Sequence, residues 1–275
     1  MNVKLIFLDI DGTLTPPGSN IPPRSALDAI NAARANGHKV FLCSGRNIPM
    51  LKPLMNICTF DGAVGGAGGI VFVGDRVLYD CPMEREDFET AMKLLEQTHV
   101  FRTIESKEGT WCDEGMGAFL AGKNGGNSEL IRLRRALEED LGVRPLNEYP
   151  GCPVYKIVFM CESEEQLAPA KRALGEKYNF VIQEAFSLGC LNGEMINRKF
   201  DKGKGVRLVT EYLGCDLADT IGFGDSMNDL EMIETVGASV CMENGSPTLK
   251  AKSSLICPPV DRDGIATAFH QLNLI

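Results

Sequence analysis

The chain has 275 residues, 44% apolar and 24% charged, values of a soluble globular protein with one large or two ordinary domains. Its net charge of −9 argues against a general nucleic-acid binder, and any bound phosphate would need local Lys, Arg or a metal to offset the protein's own field. No apolar stretch approaches a membrane span, and the amino terminus lacks the basic region, long apolar core and cleavage site of a secretory signal, so a cytoplasmic protein is expected.

The first element is an apolar run from Val3 to Leu8 that ends in Asp9-Ile10-Asp11-Gly12-Thr13. Such a run, bounded by turn residues, reads as a buried strand of a parallel sheet. Side chains two apart on a strand share a face, so Asp9 and Asp11 can address one small volume. After a Pro16-Pro17-Gly18 loop, Ala26, Ala29, Ile30 and Ala33 recur at helical spacing up to a stop at Gly37. Lys39 to Cys43 is a second strand and ends in Ser44-Gly45-Arg46. A short helix over 48–56 and a weak strand over 62–65 follow. Gly65-Gly66-Ala67-Gly68-Gly69 is a turn without the strong helix that a phosphate loop needs. Residues 70–73 and 76–79 read as a hairpin.

The texture changes near Met83. Helices are expected over 83–97, 128–141 and 164–177, and extended segments near 100–105, 109–113, 154–160, 180–183 and 187–196. This order suits an antiparallel α+β insert. From Lys202 the opening texture returns. Val206, Val209 and Leu213 share a helical face that stops at Gly214, and strand 220–224 ends in Asp225-Ser226-Met227-Asn228-Asp229. A helix, strands at 238–242 and 255–257, and an amphipathic helix with Ile265, Ala268, Phe269 and Leu272 close the chain. The ten cysteines are scattered without a Cys-x-x-Cys pair, and with three histidines they read as reduced core residues rather than a zinc site.

Three apolar strands therefore end in polar loops. In open parallel sheets ligands bind outside the carboxyl ends of the strands, where these loops should converge. Asp9, Asp11 and Asp225 offer hard oxygen ligands suited to magnesium, Ser44 a hydroxyl, and Lys202 a compact positive charge. That inventory meets the needs of phosphoryl transfer. Each motif alone also has a bland reading as a turn, a helix cap or a solvated lysine. Two Lys-Gly pairs, Lys202-Gly203 and Lys204-Gly205, compete for the lysine role. Lys202 precedes Val206 by four residues and Val209 by seven, so it continues the buried face if the helix already includes it. A helix starting after Gly205 would leave both lysines undetermined.

Together these motifs resemble the signature set of the haloacid dehalogenase superfamily: Asp-x-Asp-Gly-Thr, a Ser or Thr, a Lys, and Gly-Asp with a nearby second acid. The Cof-type branch is resembled further in Gly222 to Asp229, Met242-Glu243-Asn244-Gly245 and Asp261 to Ile265. One departure is Gly68-Gly69, where that branch often has Asn-Gly. The resemblance implies a Rossmann-like α/β core at 1–82 and 197–275 and an inserted α+β cap at 83–196. It implies that Asp9 attacks phosphorus and that Asp11 protonates the leaving oxygen and then deprotonates water. It implies a phosphate pocket from Gly12, Ser44, Gly45, Arg46, Lys202 and Asn228. Magnesium would be held by Asp9, the Asp11 backbone carbonyl and Asp225, with Asp229 in or near its second shell. The cap would close over the site and read the leaving group.

The expected function is thus magnesium-dependent hydrolysis of a small phosphorylated metabolite by a monomer or weak homo-oligomer, with neither nucleic acid nor membrane as partner. A phosphomutase of the phosphomannomutase type would need a second phosphate clamp among the insert's arginines: Arg85, Arg102, Arg132, Arg134, Arg135, Arg144 and Arg172. A non-catalytic binding protein on the same fold is opposed by the intact Asp9, Asp11, Ser44, Lys202 and Asp225.

Overall fold

Apolar runs too short to stand alone pair into two sheets, one in each of two compact units. The computed structural model describes residues 2–117, 142–185 and 190–275, with backbone alone at 183–185. The expected helix at 128–141, with Arg132, Arg134 and Arg135, lies outside the described residues.

The first unit comprises Met1–Arg46, Met50–Asp80 and Phe200–Ile275. Its first half contributes β1 (Leu5–Leu8), α1 (Arg24–Ala35), β2 (Lys39–Cys43), most of α2 (Ile48–Ile57), β3 (Gly62–Gly65), β4 (Ile70–Val73) and β5 (Arg76–Asp80). The second unit, Asn47–Pro49 and Cys81–Lys199, contributes α3 (Arg85–Gln97), β6 (Phe101–Ser106), β7 (Thr110–Cys112), β8 (Val143–Pro145), β9 (Val154–Cys161), α4 (Ala168–Leu174), β10 (Tyr178–Ala185) and β11 (Cys190–Asn197). The chain then returns to the first unit with α5 (Lys202–Tyr212), β12 (Thr220–Gly224), α6 (Leu230–Thr235), β13 (Ala238–Met242), α7 (Pro247–Lys252), β14 (Leu255–Cys257) and α8 (Gly264–Gln271).

The first sheet has the order β14-β13-β12-β1-β2-β3-β4-β5. The strands from β14 to β3 run parallel, and the β4–β5 hairpin adds an antiparallel edge. Parallel strands buried on both faces read as continuous apolar runs, as Leu5-Ile6-Phe7-Leu8 does with every side chain buried. On one face Leu5, Phe7, Phe41, Val64 and Val71 pack with Val206 and Val209 of α5 and with Met232 of α6. Phe7 stacks on Phe41 with ring centroids 5.2 Å apart. The helix α7 answers to no apolar periodicity strong enough to be read in advance. It rests on Pro247 in its first turn and on Ser246, whose hydroxyl accepts from the Leu249 N–H.

The second sheet has the order β10-β11-β9-β6-β7-β8 and is antiparallel apart from the β7–β8 pair. One face is apolar: Leu95 of α3, Ile104, Trp111, Ile157, Phe159 and Met195 share a core with Ala170 and Leu174 of α4. The other face carries Lys156, 1% exposed, whose ammonium lies 2.5 Å from Glu194 and 3.3 Å from Glu105. Two details differ from the sequence reading. The strand β8 is three residues long, below what periodicity can resolve. The helix expected over 164–177 begins as a 3-10 turn at Glu164–Leu167 and ends at Leu174, ahead of Gly175. The insert's described arginines are engaged locally or exposed. Arg102 grips Asp113 through two bonds of 2.8 and 2.7 Å, Arg85 pairs with Glu89, Arg144 stacks 4.3 Å from the Trp111 ring, and Arg172 faces solvent.

Candidate active site

In the first sheet β1 lies between β2, which follows it in the chain, and β12, which comes back after the insert. This reversal of strand order opens a crevice at the carboxyl ends of the strands. Asp9 is the first residue past β1, and its N–H donates to the Phe223 carbonyl at 3.0 Å, extending the pairing with β12. Asp225 is the first residue past β12. The β1–β2 register, Leu8 opposite Leu42, continues to set Cys43 beside Asp9 and Ser44 one step beyond.

Gly12 makes the turn after Asp11 with φ 88°, in the left-handed region, and a Cβ there would come within 2.4 Å of Asp225 Oδ2. The Thr13 hydroxyl lies 3.4 Å from Asp225 Oδ1, and the Asn244 amide donates to the Gly12 carbonyl at 3.3 Å and to Asp225 Oδ2 at 3.4 Å. Thr13 and Asn244 were not anticipated as site residues. Both lie inside motifs that carry the family resemblance, Asp-x-Asp-Gly-Thr for Thr13 and Met242-Glu243-Asn244-Gly245 for Asn244, and Asn244 also follows β13, a further strand of the same parallel set.

The helix α5 starts at Lys202 because Asp201 caps it, accepting from the Lys204 N–H at 2.7 Å. The Gly-rich turn has a packing role there. A Cβ on Gly68 would sit 2.3 Å from the Asp201 carbonyl, so the turn lies directly against the start of α5. The two lysines then diverge. Lys202 is 1% exposed, and its ammonium donates to Asp9 Oδ1 at 2.7 Å, Asp229 Oδ1 at 2.5 Å and Asn228 Oδ1 at 3.4 Å. Lys204 is 52% exposed and pairs with Asp201 at 3.3 Å. Asp229 is fully buried; its second oxygen accepts the Asp225 and Ser226 N–H groups, both at 3.1 Å.

Asp11 and Arg46 form a separate pair. The guanidinium meets the carboxylate with Nε–Oδ2 2.8 Å and Nη2–Oδ1 2.7 Å. Gly45 lies between Arg46 and Ser44. The Ser44 hydroxyl accepts from the Arg46 backbone N–H at 3.2 Å, and the Ser44 carbonyl accepts from Ala67 at 3.0 Å, so this loop is folded back on itself. The structure therefore brings Asp9, Lys202, Asn228, Asp229, Asp225 and Gly12 into one constellation and ties Asp11 to Arg46 beside it.

The charge balance of the constellation is incomplete. Burial, then the Asp229 charge, push the Asp9 carboxyl well above its ordinary range, with Lys202 pulling it back. Burial and Asp229 likewise push Asp225 up to about 7. Burial alone would lower the Lys202 ammonium, but Asp229 and Asp9 more than offset it and hold it well above its ordinary range. Asp9, Asp225 and Asp229 each offer a carboxylate oxygen within 4.8 Å of one another. With all three carboxyls ionised, one ammonium would leave two negative charges uncompensated, and the upward shifts of Asp9 and Asp225 express that cost. A divalent cation with hard oxygen preference fits that deficit. Asp229 already serves Lys202 and two backbone N–H groups, so Asp9 and Asp225 are the carboxylates placed to face an ion.

The family model described as haloacid dehalogenase-like hydrolase matches residues 6–269. The chain belongs to that family. Among the relatives of this haloacid dehalogenase-like hydrolase is the candidate phosphatase YkrA of Bacillus subtilis (strain 168), 29% identical, with all of both chains covered. A hypothetical protein of Geobacillus kaustophilus HTA426 superposes with a TM-score of 0.84 at 25% identity over the full length of both chains. A sugar phosphatase of subclass IIB of the superfamily has the same fold, with a TM-score of 0.76 at 22% identity over 99% of this chain and 100% of its own. The Rossmann-like core with an inserted α+β unit is the architecture of this family, and the enzyme class is phosphoric monoester hydrolase. Among the described residues no helix is long and apolar enough to cross a membrane.

Proposed function

We propose that this hydrolase is a magnesium-dependent phosphatase of a small phosphorylated metabolite, a sugar phosphate or similar monoester, that works through an aspartyl-phosphate on Asp9. The observation that carries the reading is the Asp9 carboxylate at the end of β1, held 2.7 Å from Lys202 and clustered with the carboxylates of Asp225 and Asp229. Asp9 attacks phosphorus; an Asp9 O–P bond forms as the bond to the substrate oxygen breaks. Asp11 gives its carboxyl proton to that leaving oxygen, then takes one from the water that attacks the phosphorylated Asp9. Inorganic phosphate leaves, and both carboxyls return to their starting state. Lys202 and Ser44 stabilise charge on the phosphoryl oxygens, with Asn228 at the margin and with Gly12 and Gly45 shaping the loops that border the phosphate. Asp9, Asp225 and the Asp11 backbone carbonyl would hold magnesium, which when bound offsets charge on the phosphoryl group. The sugar phosphatase of the same fold supports the substrate class.

A panel of phosphorylated metabolites assayed with magnesium and with chelator tests this reading. Turnover should appear with magnesium and vanish with chelator. Calcium should inhibit, because its larger, looser shell sets the reacting oxygens differently. Magnesium at about a hundred times its Kd should also add about 2.7 kcal/mol of stability. Full activity in chelator would sink the metal assignment.

We assign substrate choice to residues 83–196, proposed as the cap. Replacing that segment with a short linker should leave a folded core that hydrolyses small aryl phosphates with little discrimination among metabolites. A core that cannot fold without the segment would refute the division.

A further inference from the structure

We propose that Arg46 is a positioning residue, which holds the Asp11 carboxylate in the orientation that serves the leaving group and does not itself grip the phosphate. The inference rests on the reading of Asp11 as the proton donor to the leaving oxygen.

A phosphate grip needs guanidinium N–H groups aimed at the phosphoryl oxygens. Those of Arg46 are aimed elsewhere. Two form the parallel fork onto Asp11, at 2.8 and 2.7 Å. A third reaches Asn20 Oδ1 at 2.5 Å and a fourth the Ser19 carbonyl at 3.0 Å. These bonds take four of the five N–H donors of an arginine. The side chain of Arg46 is 2% exposed and that of Asp11 16%, so the fork is buried more deeply than the acid it carries.

The partners come from two loops. Arg46 lies three residues past the end of β2, while Asp11, Gly18, Ser19 and Asn20 belong to the loop that follows β1. That loop is closed on itself: the Gly12 N–H donates to the Thr15 carbonyl at 2.8 Å, and the Gly18 N–H donates to Asp11 Oδ1 at 3.0 Å. Arg46 thus ties the acid-bearing turn at both ends, at Asp11 and at Asn20. Two bonds to two oxygens set the plane of the carboxyl as well as its distance, which one bond cannot do. The fork favours the ionised carboxylate, so it holds Asp11 most fully as the base that takes the proton of water. When one oxygen carries the transferred proton, the Arg46 bond to the other oxygen and the Asn20 and Ser19 contacts keep the side chain in place. Orientation matters because a misplacement of about 1 Å can cost about a hundredfold in rate.

The test uses two esters with the same phosphoryl group and different leaving groups, p-nitrophenyl phosphate and phenyl phosphate. Phenol is the weaker acid and depends more on the donated proton. Loss of a phosphate grip lowers kcat/KM for both esters alike; loss of acid positioning skews it against phenyl phosphate. The full-length protein and its Asp11→Asn, Arg46→Ala, Arg46→Lys and Asn20→Ala variants are compared. Competitive inhibition by inorganic phosphate and thermal unfolding are measured beside them. Arg46→Ala should lower kcat/KM for phenyl phosphate at least about tenfold more than for p-nitrophenyl phosphate, with phosphate inhibition within about threefold of wild type. Arg46→Lys keeps the charge but not the planar fork and should fall between. Asn20→Ala should show the same skew more weakly. Adding Arg46→Ala to Asp11→Asn should cost little more, since the two residues act as one unit.

Equal losses on both esters, or phosphate inhibition weakened tenfold, would overturn the proposal and return Arg46 to the phosphate pocket. If Arg46→Ala does not fold, Arg46→Lys and Asn20→Ala decide it by the same skew. A skew absent from Asp11→Asn itself would instead refute the reading of Asp11 as the acid. A skew present in Asp11→Asn but absent from the Arg46 variants refutes only the positioning role.

Discussion

Asp9→Asn should lower turnover by at least about a thousandfold, roughly 4 kcal/mol of transition-state stabilisation at about 1.4 kcal/mol per tenfold, while the fold persists. The amide keeps the shape of the carboxylate but is a far poorer nucleophile and metal ligand. The structural cost is small because two effects oppose. The variant gives up the 2.7 Å charge pair with Lys202. It also relieves the crowding by Asp229 and Asp225 that, with burial, pushes the Asp9 carboxyl up. Circular dichroism should match the wild type, and the protein should yield no acid-stable, hydroxylamine-sensitive phosphoenzyme. Wild-type turnover by the variant would remove Asp9 from the role of nucleophile.

Lys202→Ala should lower turnover about a hundredfold or more, and Lys204→Ala should leave it near wild type. The Lys202 ammonium is the positive charge shared by Asp9 and Asp229, and its removal leaves buried carboxylates without their partner. Breaking a buried pair in this way costs about 3–5 kcal/mol, so the variant should also melt at a lower temperature. Magnesium should restore part of that loss, because it supplies charge to the same group. Lys204 points outward and pairs with Asp201, the residue that caps α5. The two variants are to be assayed together on the substrate that the metabolite panel identifies, with unfolding followed in parallel. Near-normal turnover in Lys202→Ala with collapse in Lys204→Ala would reverse the assignment.

Much of the core is written locally. A run such as Leu5-Ile6-Phe7-Leu8 can only be buried, and the polar residues that end it must lie at the strand's carboxyl end, so Asp9, Ser44 and Asp225 can be placed at strand ends before any pairing is known. The spacing of Val206 and Val209 orients α5 and, once Asp201 starts that helix, orients Lys202 as well. What is decided locally fails where the signal is short, as at the three-residue β8, and where the end of a helix depends on a cap, as at Leu174.

The partners within the site are decided only by tertiary structure. Lys202 meets Asp9 across 193 positions of sequence, Arg46 meets Asp11 across 35, and Asn244 meets Gly12 across 232. Nothing in the spacing of the motifs distinguishes an arginine that grips phosphate from one that grips a carboxylate. That choice depends on which loop lies opposite β2, and the strand order sets it by putting β1 between β2 and β12. Residue type and periodicity place each group at the edge of the sheet; the hydrogen bonds available across that edge, where burial makes every unpaired charge costly, select its partner.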